Sequence, residues 1–133
     1  MTTDLTLILP DRVGSLAQAL GVFAGAGIEI DGCAGFPAWA GEGILHALVR
    51  DVDAARDALA AAGIVIREER EVLVTRPLEG TAEAARALEL IAAANVNIDL
   101  IYQLRDRRLV LGVNRLEVAR EAVRALGDAA PVA

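Results

Sequence analysis

The sequence is short of the residue types on which most catalytic and metal sites depend. It contains one cysteine, one histidine, one tryptophan, one tyrosine and two phenylalanines among 133 residues. Because Cys33 is alone, no disulfide framework can form within the chain, and a reducing, cytoplasmic location is expected. No uninterrupted apolar run approaches the ~20 residues of a membrane helix, and the first residues carry no signal-peptide pattern. We therefore expect an aliphatic core and no membrane partner.

The residues that are abundant indicate a folded, acidic protein. Apolar residues make up 55% of the chain and charged residues 24%, with a mean hydropathy of +0.44. A chain of this composition can bury a core and is not disordered. The net charge is 13 − 19 = −6. An acidic surface repels phosphate backbones, so no nucleic-acid partner is expected.

An internal repeat is the most informative feature of the sequence. An apolar run followed by an acidic, Ala-rich stretch occupies residues 45–59 and returns at 109–123, and both copies close with glycine at an offset of 127 − 63 = 64 residues. A second matching pair, residues 23–30 and 91–98, has an offset of 98 − 30 = 68 residues. The difference of 68 − 64 = 4 places four extra residues in a turn-rich loop of the first copy.

The hydrophobic periodicities predict the same elements in each copy. Leu5, Leu7 and Leu9 alternate along a strand, and a helix follows from an N-cap at Ser15 to the glycines at 25 and 27. The other elements predicted for the first copy are strands 28–33 and 43–49, a helix capped by Asp51 or Asp53 that reaches residue 62, and a strand 64–68. Those predicted for the second copy are strands 72–75, 98–103 and 109–113, and helices 81–94 and 115–126.

The order β-α-β-β-α-β predicts an α+β fold: two ferredoxin-like units side by side, with antiparallel sheet and helices on one face. We expect the first unit at residues 1–69 and the second at 70–133. We expect the second unit to lack its last strand, because the tail after Gly127 is short and contains proline. The open edge, and an apolar sheet face away from the helices, lead us to expect a homodimer that covers them. The apolar residues of that face are Ile8, Leu48, Ile101 and Val110.

Catalytic chemistry has little support in the sequence. His46 lies in the middle of a strand without a nearby Ser, Cys or second His, so a structural role is favoured. Cys33 has no basic neighbour, which favours an inert thiol. Glu29 and Asp31 share a strand face, and a solvated edge is favoured over an acid–base pair. Metal-ligand spacing and phosphate-binding glycine loops are both missing, so no catalytic residue, metal or cofactor is expected.

Residues 10–16, Pro-Asp-Arg-Val-Gly-Ser-Leu, join a strand end to a helix start. The first N–H groups of a helix have no internal partner and lie at the positive end of its dipole, so residues 13–16 could donate to a ligand carboxylate. Gly14 leaves the approach open, and Asp11 could accept from an ammonium group. These features fit a zwitterionic α-amino acid. The alternative, that Gly14 and Ser15 only turn and cap the helix, carries equal weight.

The same segment resembles the ACT domain family, small ligand-binding modules that regulate amino-acid metabolism. The family commonly has Asp-Arg-Pro-Gly-Xaa-Leu where residues 11–16 read Asp-Arg-Val-Gly-Ser-Leu, and Ala-Gly-Ile-Asn-Ile where residues 26–30 read Ala-Gly-Ile-Glu-Ile. Residues 94–102, Ala-Asn-Val-Asn-Ile-Asp-Leu-Ile-Tyr, are similar to a segment of small tandem ACT proteins. The resemblance implies two ACT units that pair their second strands in a continuous eight-stranded sheet and bind amino acids between them.

The resemblance also implies site residues and a function. One site would combine the first strand–helix loop with the second strand of the other unit: Asp11, Arg12, Val13, Gly14, Ser15, Leu16, Asn95, Asn97 and Ile98. A mirror site would combine residues 79–83 with Glu29 and Ile30, but its loop lacks the Asp-Arg-Xaa-Gly pattern and Glu29 would repel a carboxylate. The implied function is a non-catalytic sensor that binds a free amino acid and regulates a partner enzyme or assembly in amino-acid metabolism. Two alternatives remain: a cofactor-free enzyme with His46 and Asp31 as acid–base groups, and a purely structural regulatory subunit.

Two aromatic residues of the inserted loop have two interpretations. Phe36 and Trp39 could pack down as a plug on exposed sheet or on a partner, or Trp39 could close over a bound side chain as a lid. The plug is favoured, because exposed aromatic side chains more often pack on a protein surface.

Overall fold

The chain divides into two units. A computed structural model describes residues 2–127. The first compact unit ends at Glu71 and the second begins at Val72, each with its own sheet and helices. The division lies two residues beyond the boundary expected from the sequence.

Unit 1 is a four-stranded antiparallel sheet with two helices. Its elements are β1 (Thr3–Pro10), α1 (Ser15–Gly25), β2 (Ile30–Pro37), β3 (Glu42–Val49), α2 (Val52–Ala61) and β4 (Val65–Glu71). The strand order is β2-β3-β1-β4, and each neighbouring pair is antiparallel. Leu5, Leu7 and Leu9 alternate along β1 and are buried in one core with Phe23 of α1 and Leu59 of α2. Both helices therefore cover the same face of this sheet.

Over its described residues, 72–127, unit 2 repeats this plan with three strands. Its elements are β5 (Leu73–Val74), α3 (Gly80–Ala93), β6 (Ile98–Gln103), β7 (Leu109–Val113) and α4 (Leu116–Val123), followed by a 3-10 turn (Arg124–Leu126). The strand order is β5-β7-β6, again antiparallel. Leu73 and Leu111 of the strands share a core with Ile91 of α3 and Ala119 of α4.

The repeat read from the sequence is confirmed in the backbone. Gly27 and Asn95, which follow the first helix of each unit, have φ values of 70° and 60°. Gly63 and Gly127, which follow the second helix, have φ values of 72° and 84°. A positive φ after a helix turns the chain away from it, and glycine and asparagine adopt a positive φ most readily. The α+β fold of two ferredoxin-like units is therefore confirmed.

Two local predictions need correction, and one choice that the sequence left open is decided. Ser15 is the first residue of α1, and Gly14 holds the N-cap position that was predicted for the serine. The second strand runs over Ile30–Pro37 instead of 28–33, because Ile28 is still tied to the end of α1 by a hydrogen bond from its N–H to the carbonyl oxygen of Phe23. Of the two candidate caps of α2, Asp51 is the one whose carboxylate accepts from the N–H of Ala54, at 3.0 Å.

The expected homodimer rested on an open sheet edge and an apolar sheet face. Among residues 2–127, β5 pairs only with β7, and the predicted absence of a following strand concerns residues 128–133, which lie outside the described part of the chain. Leu48 is 1% exposed and Val110 is fully buried within the single chain, whereas Ile101 is 51% exposed. Two of the four apolar residues that were expected to need a partner, Leu48 and Val110, are therefore already buried, and that part of the prediction is wrong. The homodimer and the continuous eight-stranded sheet stay predictions.

Candidate functional site

The loop between β1 and α1 presents unused hydrogen-bond donors at a helix start. Gly14 has φ 91°, in the left-handed region, and this turn directs the chain from the strand into α1. The N–H of Ser15 donates to the carbonyl oxygen of Arg12 at 3.2 Å. Within residues 2–127, the N–H groups of Val13, Gly14 and Leu16 donate no hydrogen bond. Three of the four N–H groups named in the sequence analysis are thus available to an anion.

The side chain of Ser15 is the second unusual feature of this loop. The residue is only 7% exposed, and its Oγ has no hydrogen-bond partner in the described part of the chain. Buried hydroxyl groups are nearly always paired, because leaving one unpaired costs about 1–3 kcal/mol. An unpaired hydroxyl at a helix start leaves a hydrogen-bonding position that a bound water or a ligand could fill.

Ser15 lines a cleft of about 250 Å³ between the start of α1 and the sheet of unit 1. The polar residues of the cleft are grouped at the loop end: Asp11, Arg12 and Ser15. The rest of its wall is apolar or glycine and comes from the ends of β1, α1, β2 and β3: Leu9, Pro10, Leu16, Gly35, Phe36, Pro37, Gly43 and Ile44. The cleft is therefore polar at one end and apolar over the remainder.

Gly35 leaves space in the wall of this cleft. A Cβ placed on Gly35 would lie 3.5 Å from Cδ1 of Leu45 and 3.9 Å from Cδ2 of Leu16, and 3.5 Å from the carbonyl oxygen of Ile44. These are ordinary van der Waals distances, so a methyl group would fill the space without displacing the wall. Its φ is not in the left-handed region, so the backbone does not require glycine there. Gly35 was not among the predicted site residues, because the second strand was predicted to end at residue 33; within the observed β2, an isolated glycine is a signal of close approach.

A tight turn between β2 and β3 is tied to the same loop. The N–H of Glu42 donates to the carbonyl oxygen of Trp39, and Ala40 and Gly41 between them have φ values of 58° and 75°, as in a type I′ hairpin turn. The N–H of Asp11 donates to the carbonyl oxygen of Gly41 at 2.8 Å, which fixes the turn beside the loop.

The aromatic residues of this hairpin do not form the expected plug on the chain itself. Trp39 is 89% exposed, so its ring is not packed on the sheet. Phe36 is 50% exposed, lines the cleft, and has its ring centroid 5.9 Å from that of His46. A lid role for Trp39 and its packing on a partner stay untested.

The three residues assigned to the site from the second copy have local structural partners. Asn95 adopts the left-handed conformation after α3, and its N–H donates to the carbonyl oxygen of Ala92. The N–H of Asn97 donates to Oδ1 of Asn114 at 3.0 Å. Ile98 is the first residue of β6 and packs against the core of unit 2. Their part in a ligand site stays a prediction.

Unit 2 has a cleft of its own at the equivalent strand–helix junction. It measures about 240 Å³ and is lined by Leu78, Gly80, Thr81, Ala84, Gln103, Arg107 and Leu109. The acidic residues of the junction already face arginines: Glu79 lies 3.5 Å from Nη2 of Arg107, and Glu83 forms an ion pair with Arg76. Thus two cations near this junction are paired with carboxylates, which makes the unit 2 cleft the weaker candidate.

His46 and Asp31, the acid–base groups of the alternative enzyme hypothesis, each contact a different side chain. Oδ2 of the buried Asp4 lies 2.8 Å from Nδ1 of His46, and Oγ1 of Thr6 lies 3.4 Å from the same nitrogen. Asp31 accepts two hydrogen bonds from Arg50, at 2.8 and 3.3 Å, which raise the pKa of that guanidinium. His46 and Asp31 therefore each hold a different partner. Within residues 2–127 no group of three or more His, Cys, Asp or Glu side chains could hold a metal ion.

One ion pair outside the cleft joins α2 to β4. Arg56 donates from Nε to Oε2 of Glu69 at 2.5 Å and from Nη2 to Oε1 at 2.7 Å. This two-point contact lowers the pKa of the Glu69 carboxyl and raises that of the guanidinium.

The described helices are all too short or too polar to cross a membrane.

Comparisons with known proteins establish the fold. No protein-family model and no curated protein matches the sequence. A crystal structure of a protein from Bacteroides thetaiotaomicron superposes with a TM-score of 0.82 at 20% identity, over 93% of this chain and 87% of that one. The regulatory subunit of aspartate kinase from Thermus thermophilus, in a ligand-free form, gives a TM-score of 0.69 at 23% identity, over 94% and 89% of the two chains. Aspartokinase III of Escherichia coli, in complex with lysine and aspartate, gives 0.54 at 18% identity, over 95% of this chain and 31% of that one.

Proposed function

We propose that this chain, which has the fold of ACT-type regulatory subunits, is a non-catalytic sensor that binds a free α-amino acid in the cleft of unit 1. Binding would regulate a partner enzyme or assembly of amino-acid metabolism. A ligand can do this only if it binds two states of that assembly with different affinity.

The observation that carries the proposal is the buried, unpaired Oγ of Ser15 beside the free N–H groups of Gly14 and Leu16. An α-carboxylate seated there would accept hydrogen bonds from the helix start and lie at the positive end of its dipole. Asp11 lines the same end of the cleft and suits the α-ammonium group. The N–H donors of the helix start match the carboxylate of an amino acid, and the Asp11 carboxylate matches its ammonium group.

The structural neighbours support the regulatory part of the proposal. One of them is a regulatory subunit of similar length, and another is an aspartokinase III in complex with lysine and aspartate. These proteins share the fold with this chain at identities of 23% or less. Regulation of a metabolic enzyme by an amino acid is therefore the function that we carry over as a proposal, without a named partner.

Thermal unfolding of the full chain in the presence of each of the twenty amino acids tests the proposal. A ligand that binds only the folded chain raises Tm, with about 2.7 kcal/mol of stabilisation at one hundred times Kd. We expect one amino acid, or a few related ones, to raise Tm in a concentration-dependent way. The same compound as its amide, which lacks the carboxylate, is the matched control and should have no effect.

The second candidate function is a purely structural regulatory subunit. It is favoured only by the exposed Trp39, which a partner surface could cover. Absence of any shift in Tm with all twenty amino acids would contradict the sensor and leave this candidate.

A further inference from the structure

The distribution of polar and apolar residues in the unit 1 cleft indicates which amino acids it takes, provided that the proposed function is right. All charged and hydroxyl side chains of the lining, Asp11, Arg12 and Ser15, lie at the loop and helix start. If the carboxylate and ammonium groups are held there, the ligand's side chain must extend along the remaining wall. We infer that the cleft selects an α-amino acid with an apolar side chain larger than that of alanine, and that Gly35 sets the size that is accepted.

Among residues 2–127, the remaining wall offers no polar side chain to a ligand. It consists of Leu9, Leu16, Phe36 and Ile44 together with prolines and glycines. Leu16 is 55% exposed, although it is a large apolar residue. An apolar side chain in the cleft would cover Leu16, whereas a charged side chain would lose its hydration there without gaining a partner.

Gly35 lies in the apolar part of this wall, between Leu16 of α1 and Leu45 of β3. The space next to it is large enough for one methyl group, because a Cβ on residue 35 would lie in van der Waals contact with Leu45 and Leu16. A branched or long ligand side chain could fill this space, and a methyl group on residue 35 would take its place. In a hydrophobic pocket a difference of one methylene changes discrimination by about 10- to 200-fold.

Isothermal titration calorimetry of the full chain and of Gly35→Ala tests the inference. The probes are valine, leucine, isoleucine, methionine and phenylalanine, against alanine, serine, aspartate and lysine. We expect an apolar member to bind the parent chain most tightly. In Gly35→Ala its Kd should rise about tenfold or more, while alanine binds with a Kd changed by less than about twofold.

A matched control and three outcomes keep the test decisive. Gly21→Ala, in the middle of α1 where an added Cβ meets nothing within 4 Å, should leave every Kd unchanged. If aspartate, lysine or serine binds the parent most tightly, the inference is wrong while the sensor function stands. If Gly35→Ala weakens all bound amino acids by the same factor, Gly35 does not sense the side chain. If no probe binds the parent chain, and none of the other amino acids does, the proposed function itself fails.

Discussion

Replacing Ser15 with alanine separates a ligand-binding serine from a helix-capping one, because the two roles predict opposite effects on stability. Replacing a serine that caps a helix with alanine costs about 1 kcal/mol. Ser15 is instead 7% exposed with an unpaired Oγ among the residues described, and burying an unpaired hydroxyl costs about 1–3 kcal/mol. We therefore expect Ser15→Ala to leave the free energy of unfolding unchanged or to raise it by up to about 1 kcal/mol.

The same substitution should weaken binding of the amino acid. A net contribution of about 0.5–1.5 kcal/mol for one neutral hydrogen bond corresponds to a Kd that is about 2- to 13-fold higher at 25 °C. Urea unfolding gives the stability of the ligand-free chain, and calorimetry gives the Kd. Gly21→Ala, on the exposed side of α1 where an added Cβ meets nothing within 4 Å, is the control and should leave the Kd unchanged.

Lower stability with an unchanged Kd would contradict a ligand-binding role for Ser15. If Ser15→Ala lowers the free energy of unfolding by about 1 kcal/mol or more and leaves the Kd as it is, the serine belongs to the helix start and not to the ligand site. Unchanged stability together with an unchanged Kd would mean that the hydroxyl faces a bound water.

Three further substitutions test other parts of the structure. Asp51→Ala should lower the free energy of unfolding, measured in urea, by about 1 kcal/mol through loss of the cap of α2. The control Asp53→Ala, two residues further on and exposed, should change it by less than about 0.5 kcal/mol. Ala40→Asn should raise the free energy of unfolding by up to about 1 kcal/mol, because asparagine tolerates the left-handed conformation of the hairpin better than alanine does; a lower midpoint in urea would count against the turn. An NMR titration should place the pKa of Glu69 below the usual glutamate value, and Arg56→Ala should return it toward that value. Since the folded-state pKa is lowered, the pair stabilises the chain above the usual glutamate pKa and this contribution is lost as the pH falls through the folded-state pKa.

The repeat allowed most of the fold to be predicted, because both copies carry glycine or asparagine after each helix, at offsets of 68 and 64 residues. The prediction failed where neighbouring strands overrode local composition. Gly35 and Pro37 are typical turn formers. Residues 35–37 nevertheless continue β2 because they pair with β3, with Phe36 opposite Ile44 and Pro37 opposite Gly43. Strand pairing depends on the partner strand, which a local pattern does not contain.

The candidate site could be predicted in part for the same reason. Its loop was visible as a strand end followed by glycine and serine, and the structure places Asp11, Arg12, Ser15 and Leu16 around one cleft. Its apolar wall was missed, because ending the strand at residue 33 left Gly35 in a loop. The role of Gly14 also changed: with φ 91° any side chain there is strained, so a Gly14→Val variant would test the backbone and not the ligand approach.

The central claim, that a free amino acid binds in the unit 1 cleft, is tested most directly by backbone amide NMR of the full chain titrated with the twenty amino acids. We predict that a bound amino acid shifts the amide signals of Gly14, Ser15 and Leu16 most, together with those of Gly35 and Ile44, and that the shifts saturate with one Kd. Saturable shifts confined to residues outside the cleft, or no saturable shift with any amino acid, would contradict the claim.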